Sequence, residues 1–200
     1  MSQRKPLIHF FLRTLAWLVL LTGIWSQVNQ WTSLPISTLT HMTLEVGAPY
    51  WVESVKKSPE LVEVQSRLQV PVQGGVGDVI VGANPSHYAY GLPILWALLL
   101  AAGGRGRVGK LALGYVLLLP TQSFSLTLDL LKQMAMAVPG GPRVLHIDQW
   151  QLELIGLGYQ LGTLVLPTVV PIAVWLMLDQ AFAEQLARPN VISETSSASR

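Results

Sequence analysis

The sequence contains no cysteine. That excludes disulfides, thiolate metal sites and any cysteine nucleophile. Charge is scarce too: charged residues make up 12% of the chain, against about 25% in an ordinary soluble domain. The net charge of +2 is too small to suggest nucleic acid, and no basic run alternates with aromatics. The histidines His9, His41, His87 and His146 show no metal-ligand spacing. There is no Gly-x-Ser-x-Gly elbow, no His-Glu-x-x-His and no P-loop. The run Gly103-Gly104-Arg105-Gly106-Arg107 is rich in glycine, but no strand leads into it. It reads as a short turn whose arginines meet lipid headgroups. The residues therefore name no reaction, no cofactor and no metal.

What the chain does have is four apolar stretches. They run roughly over 7–25, 87–102, 110–137 and 152–178. A membrane-crossing helix needs about 20 mostly apolar residues. The first and fourth stretches meet this. The second has a short core from Gly91 to Ala102, extended by Tyr88 and Tyr90 as interfacial aromatics. The third is longer than a bilayer requires and becomes mixed after Pro120. The first opens with Arg4 and Lys5 and lacks a small-x-small cleavage site, so it reads as an uncleaved signal anchor. Arg13 lies a turn inside and can snorkel to the headgroups.

The cations near the ends of these stretches fix a topology. Arg4, Lys5, Arg105, Arg107 and Lys110 fall on one side if there are four spans, with Arg188 further out in the tail. Lys56, Lys57, Arg67, Lys132 and Arg143 fall on the other. The positive-inside rule then puts both termini in the cytoplasm. The expected fold is an α-helical polytopic membrane protein. It has four transmembrane helices and a small β-containing extracytoplasmic cap between helices 1 and 2. The expected divisions are an anchor over 1–26, the cap over 27–86, a three-helix membrane region over 87–178 and a Ser/Thr-rich, disordered tail over 179–200.

Within the cap, Ser33-Leu34-Pro35 reads as the start of a short helix, to about Val46, lying on the membrane. Residues 61–70 alternate: Val62, Val64, Leu68 and Val70 face one way, Glu63, Gln65, Arg67 and Gln69 the other. That is a half-buried strand. Residues 50–57 and 78–81 are weaker strand candidates, with turns at Ser58-Pro59 and Gly74-Gly75. A three-stranded antiparallel sheet is the simplest arrangement, and it is too small to stand alone.

Polar residues inside apolar stretches are the functional candidates. Asp129, Lys132 and Gln133 share one helical face, which Gln122 and Ser125 extend backward. That face is a contact surface, a buried ion pair serving a substrate or partner, or a helix end wetted at the interface. In the fourth stretch Glu153, Gly156, Gln160, Thr163 and Pro167 share a small and polar face. Gly158 and Gly162 form a Gly-x-x-x-Gly, which lets another helix approach closely; packing within the chain is the plainer use of it. The polar faces of the third and fourth stretches are expected to meet, with Lys132 near Glu153. The segment from Asn84 to Pro93 enters the second stretch. Asn84-Pro85 favours a turn, the tyrosines suit the interface, and His87 is an anchor, a proton carrier or a ligand.

Together these residues resemble the exosortase H-associated membrane proteins of Gram-negative bacteria. The likeness rests on Asn84-Pro85, Tyr88 and Tyr90-Gly91-Leu92-Pro93. It rests also on Asp129 to Gln133, on Gly158-Tyr159-Gln160-Leu161-Gly162 and on Leu166-Pro167. The resemblance implies an inner-membrane protein encoded beside an exosortase, a transpeptidase-like enzyme that processes C-terminal sorting signals. Exosortases resemble sortases in needing a cysteine, which this chain lacks. The family has no agreed catalytic residues to carry over.

The expectation is therefore a non-enzymatic accessory protein, with the bilayer and an exosortase or its sorted substrate as partners. Asn84, His87, Tyr88, Tyr90, Asp129, Lys132, Gln133, Glu153, Tyr159 and Gln160 are its candidate contact residues. Two alternatives stay open. One is an intramembrane enzyme using Asp129, Lys132, Glu153 and His87 on a lipid or peptide. The other is a small transporter subunit.

Overall fold

A single helix, α1, runs from Arg4 to Gly47. At ~1.5 Å per residue it is about 66 Å long, roughly twice the thickness of a bilayer's hydrocarbon core. The expected break before Ser33 does not occur, and Pro35 sits inside the helix. The reason lies in one continuous stripe. Ser33, Ile36, Ser37, Thr40 and Leu44 are buried at helical spacing, so tertiary packing outweighs the hydrogen bond that proline removes. Tyr115 adds a donor beside the proline, its hydroxyl reaching the Thr32 carbonyl at 2.8 Å. The first half of α1 is exposed on almost every side and apolar.

The computed structural model describes residues 4–58, 60–72, 75–104, 106–137, 141–144, 146–180, 182 and 184. Arg105, Arg188, the tail beyond residue 184 and the turn positions Pro59 and Gly74 lie outside the described residues. After α1 come strands β1 (Val52–Lys57), β2 (Val62–Val72) and β3 (Gly75–Ala83). They form an antiparallel sheet in the order β1-β2-β3. Val62 and Val64 are fully buried, while Glu63 and Gln65 are half-buried and Arg67 is exposed. The period-2 pattern was thus a sound guide to the face that packs inward. That face joins Ile36 and Leu44 of α1 in one apolar cluster with Leu126, Leu130 and Met134, so the sheet caps one end of the helices.

A single 3-10 turn, Pro85–Tyr88, leads into α2 (Gly91–Ala102). Helix α3 (Arg107–Met136), a short α4 (Gly141–Val144), α5 (Gln149–Gln160) and α6 (Leu166–Leu178) follow. A π-turn over Leu161–Val165 joins α5 and α6 into one rod. Asp148 and Gln151 start that rod with a reciprocal capping box. Among the described residues, three helices are long and apolar enough to cross a membrane: 7–47, 107–136 and 149–178. Helix α2 has only 12 residues, about 18 Å. It touches α1, α3 and α6, and Leu92, Leu95, Ala97, Leu99 and Ala101 are buried. At the end away from the sheet, Lys110 Nζ meets Asp179 Oδ1 at 2.8 Å, tying the start of α3 to the end of α6.

Candidate functional site

The shortness of α2 creates the site. A helix of about 18 Å cannot match a hydrocarbon core of about 30 Å. The chain enters this short helix through the 3-10 turn rather than through further α-helix. Such backbone is tolerated only when buried in protein with its polar groups satisfied. The 3-10 turn does touch α1 and α3, and Pro85, Ser86 and Tyr88 are buried.

The buried polar groups of this entry find partners. Asn84 Oδ1 accepts from the Ser86 amide at 2.9 Å and caps the turn. Ser86 Oγ lies 3.2 Å from Ser33 Oγ. Ser33 spends its own proton on the Asn29 carbonyl at 2.7 Å, so Ser86 is the donor. The Tyr88 phenol stands within hydrogen-bonding reach of the Asp129 carboxylate. Tyr88 is 6% exposed and Asp129 9%, so each removes the other's need for water. Gln133 Nε2 donates to Asp129 Oδ2 at 2.8 Å. The expected face of Asp129, Lys132 and Gln133 is thus turned into the protein.

Tyr90 meets a defect made for it. Pro167 has no N–H, so the Thr163 carbonyl four residues earlier loses its regular helical donor. The Tyr90 hydroxyl donates to that carbonyl at 3.1 Å. The π-turn lies at the same place, as helical irregularities near prolines often do. Pro171 likewise offers no N–H to the Pro167 carbonyl. That carbonyl is approached by Gly91 instead: a Cβ built on Gly91 would lie 2.8 Å from Pro167 O and 2.8 Å from Pro171 Cγ.

Lys132 is placed otherwise than expected. Its Nζ sits 3.4 Å from the centroid of the Tyr159 ring, a cation–π contact. Glu153 is exposed and accepts from Gln149 Nε2 at 3.0 Å. The face of the rod that meets α3 carries Gly158, Tyr159 and Gly162, not Glu153, Gly156 and Gln160. The π-turn explains the error. It adds a residue to one turn, so a face extrapolated back from Pro167 is out of phase by about 100°. A Cβ on Gly162 would meet Ser125 Cα at 3.1 Å, and one on Gly158 would meet Leu128 Cδ1 at 2.6 Å. The Gly-x-x-x-Gly therefore packs within the chain. Glu153, Gln160 and His87 are exposed.

The junction thus gathers Asn84, Tyr88, Tyr90, Asp129 and Gln133, with Lys132 and Tyr159 beside them. Ser33, Ser86, Gly91 and the Thr163 carbonyl belong to it too, though none of them was among the expected contact residues. A signal existed for one of them: a proline four residues after Thr163 announces a carbonyl in need of a donor. Among the described residues no group of three or more His, Asp or Glu could hold a metal ion.

Fold and site together define a helical membrane protein with a small sheet at one end and a buried, non-helical entry to its short apolar helix. The chain belongs to the exosortase H-associated membrane protein family, whose model matches residues 4–182. No curated protein and no solved structure matches it.

Proposed function

We propose that this chain is a non-enzymatic accessory protein of an exosortase-type protein-sorting system in a bacterial inner membrane. Family membership supplies the system. The observation that carries the accessory role is how the polar residues of the junction are used. Asn84, Tyr88, Tyr90, Asp129 and Gln133 pair with one another or with backbone. They hold a difficult piece of chain in place. A sortase-like step also lacks its cysteine here.

Both termini lie in the cytoplasm on this reading, α2 completes a fourth crossing, and the sheet end faces outward. Arg107 and Lys110 then stand at the inner surface. Asp129 and Lys132 lie 22 and 25 residues after Arg107, about 33 and 38 Å along α3, at the outer boundary. The exosortase or its sorted substrate meets the sheet, His87 and the Lys132–Tyr159 pair there.

Affinity-tagged protein should co-purify with the exosortase from solubilised membranes. Deleting the gene should abolish sorting while exosortase levels hold. Normal sorting in the deletion strain would refute the proposal. The lack of cysteine gives a clean topology test. A single cysteine at Lys56 should react with a membrane-impermeant maleimide in intact spheroplasts, and one at Arg107 only after lysis. The reverse pattern would overturn the orientation alone.

A further inference from the structure

Next to the junction, α3 and α6 leave a small crevice of about 10 Å³, room for one water-sized group. Tyr88, Gly91, Thr121, Gln122, Ser125 and Pro167 contribute to its walls, with leucine and proline side chains between them. Its hydroxyls offer only lone pairs. The Thr121 hydroxyl donates to the Leu118 carbonyl at 2.8 Å, and the Ser125 hydroxyl to the Thr121 carbonyl at 2.9 Å. Both protons are spent on backbone, and only lone pairs remain. The Tyr88 phenol is engaged by Asp129. Gln122 is 5% exposed, and its Oε1 has no hydrogen-bond partner. A buried acceptor in apolar surroundings calls for a donor.

We infer that this crevice binds the hydroxyl group of a neutral membrane lipid, with Gln122 Oε1 as acceptor. Three observations choose the occupant. The first is depth. Gln122 lies 15 residues after Arg107, about 22 Å along α3, within a helix apolar enough to cross a membrane. The second is charge. No charged side chain lines the crevice, so an ionic ligand would lose its hydration without a counter-charge. The third is width. Gly162 rests on Ser125 at one side and Gly91 on Pro167 at the other. The rods are already in contact, and no further helix fits between them. A single hydroxyl group does, with the slender chain that carries it lying along the surface outside. Its path is marked by half-buried Thr121 and Leu166 and by Leu117, Phe124 and Val169, which are exposed at 38%, 49% and 53%.

This site is independent of the proposed sorting role. Its test uses the full-length protein in phosphatidylcholine nanodiscs with a diazirine-bearing hexadecanol. Irradiation should label peptides from α3 near Gln122 and from α6 near Leu166. Unlabelled 1-hexadecanol should compete, and hexadecyl methyl ether, which has no donor, should compete about tenfold less well. Gln122→Met should lower labelling about tenfold, while Lys56→Ala on the exposed sheet face should leave it unchanged. The alcohol–ether comparison needs only the unaltered protein, so a misfolded variant does not blunt it. Equal competition by alcohol and ether would overturn the inference. So would full labelling of a folded Gln122→Met variant. Labelling of neither helix would leave the crevice to a trapped water and end the proposal.

Discussion

Replacing Gly91 by alanine should be among the most damaging single-methyl additions in this protein. The added Cβ would stand 2.8 Å from Pro167 O and 2.8 Å from Pro171 Cγ. Neither can move aside cheaply, since one is backbone and the other a closed ring. Overpacking of this kind costs about 1–3 kcal/mol, and the rigidity of both neighbours puts Gly91→Ala in the upper half. For a chain of this length that is a fall in Tm of about 4–12 °C. Three other glycines calibrate the argument. Gly162→Ala meets Ser125 Cα at 3.1 Å, backbone again, and should cost nearly as much. Gly158→Ala meets only the end of Leu128 at 2.6 Å, a side chain that can turn, and should cost about 1 kcal/mol or less. Gly156→Ala meets nothing within 4 Å and should stabilise by up to about 1 kcal/mol through helix propensity. Thermal unfolding of the four variants in one detergent reads the series. A Gly91→Ala protein as stable as the parent, or less harmed than Gly158→Ala, would refute the packing described here.

Tyr90→Phe should cost about 1–3 kcal/mol by orphaning the Thr163 carbonyl, and Pro167→Ala, which restores an N–H there, should recover most of it; a double-mutant thermal cycle without that coupling contradicts the junction. Lys132→Met should cost about 0.5–2 kcal/mol through the lost contact with Tyr159, whereas Glu153→Gln should change stability by less than about 0.5 kcal/mol. A Lys132–Glu153 cycle should show no coupling, and coupling above about 1 kcal/mol would place the lysine elsewhere. Lys110→Met should lower Tm modestly by breaking the pair with Asp179, and the difference should shrink in molar salt, where a partly exposed pair is screened.

How far the sequence carried depended on the kind of signal. The strands were readable because Val62 and Val64 alternate with Glu63 and Gln65, and a period of two survives local irregularity. The three long apolar helices were readable by length and composition alone. The helix boundary at Ser33 was not. Pro35 is a fair start signal in isolation, and only the buried stripe from Ser33 to Leu44, matched by Thr40 Oγ1 lying 3.1 Å from Ser123 Oγ, makes one helix of two. Pairing Lys132 with Glu153 failed for a different reason. It assumed an unbroken α-helix from Glu153 to Pro167, and the π-turn at Leu161–Val165 rotates one half against the other. Charge complementarity was the wrong cue, because an aromatic face met the lysine first.

These outcomes change what the motif residues mean. Asn84, Tyr88, Tyr90, Gly91, Asp129, Gly162 and Pro167 gather where the chain enters the short α2. Pro167 removes a donor, Tyr90 restores one, and Gly91 makes room for the carbonyl that Pro171 frees. Asn84 closes the turn that brings Tyr88 under Asp129. A set of residues so occupied with one another leaves few free polar groups for a partner. What remains available at that end is the exposed set: His87, Glu153, Gln160 and the outer face of the sheet, with Lys132 partly open beside Tyr159. Substitutions inside the junction should therefore lower protein level and sorting together. Substitutions at His87 or Gln160 should lower sorting alone. Loss of sorting at normal protein level from Tyr90→Phe would assign the junction itself a direct role.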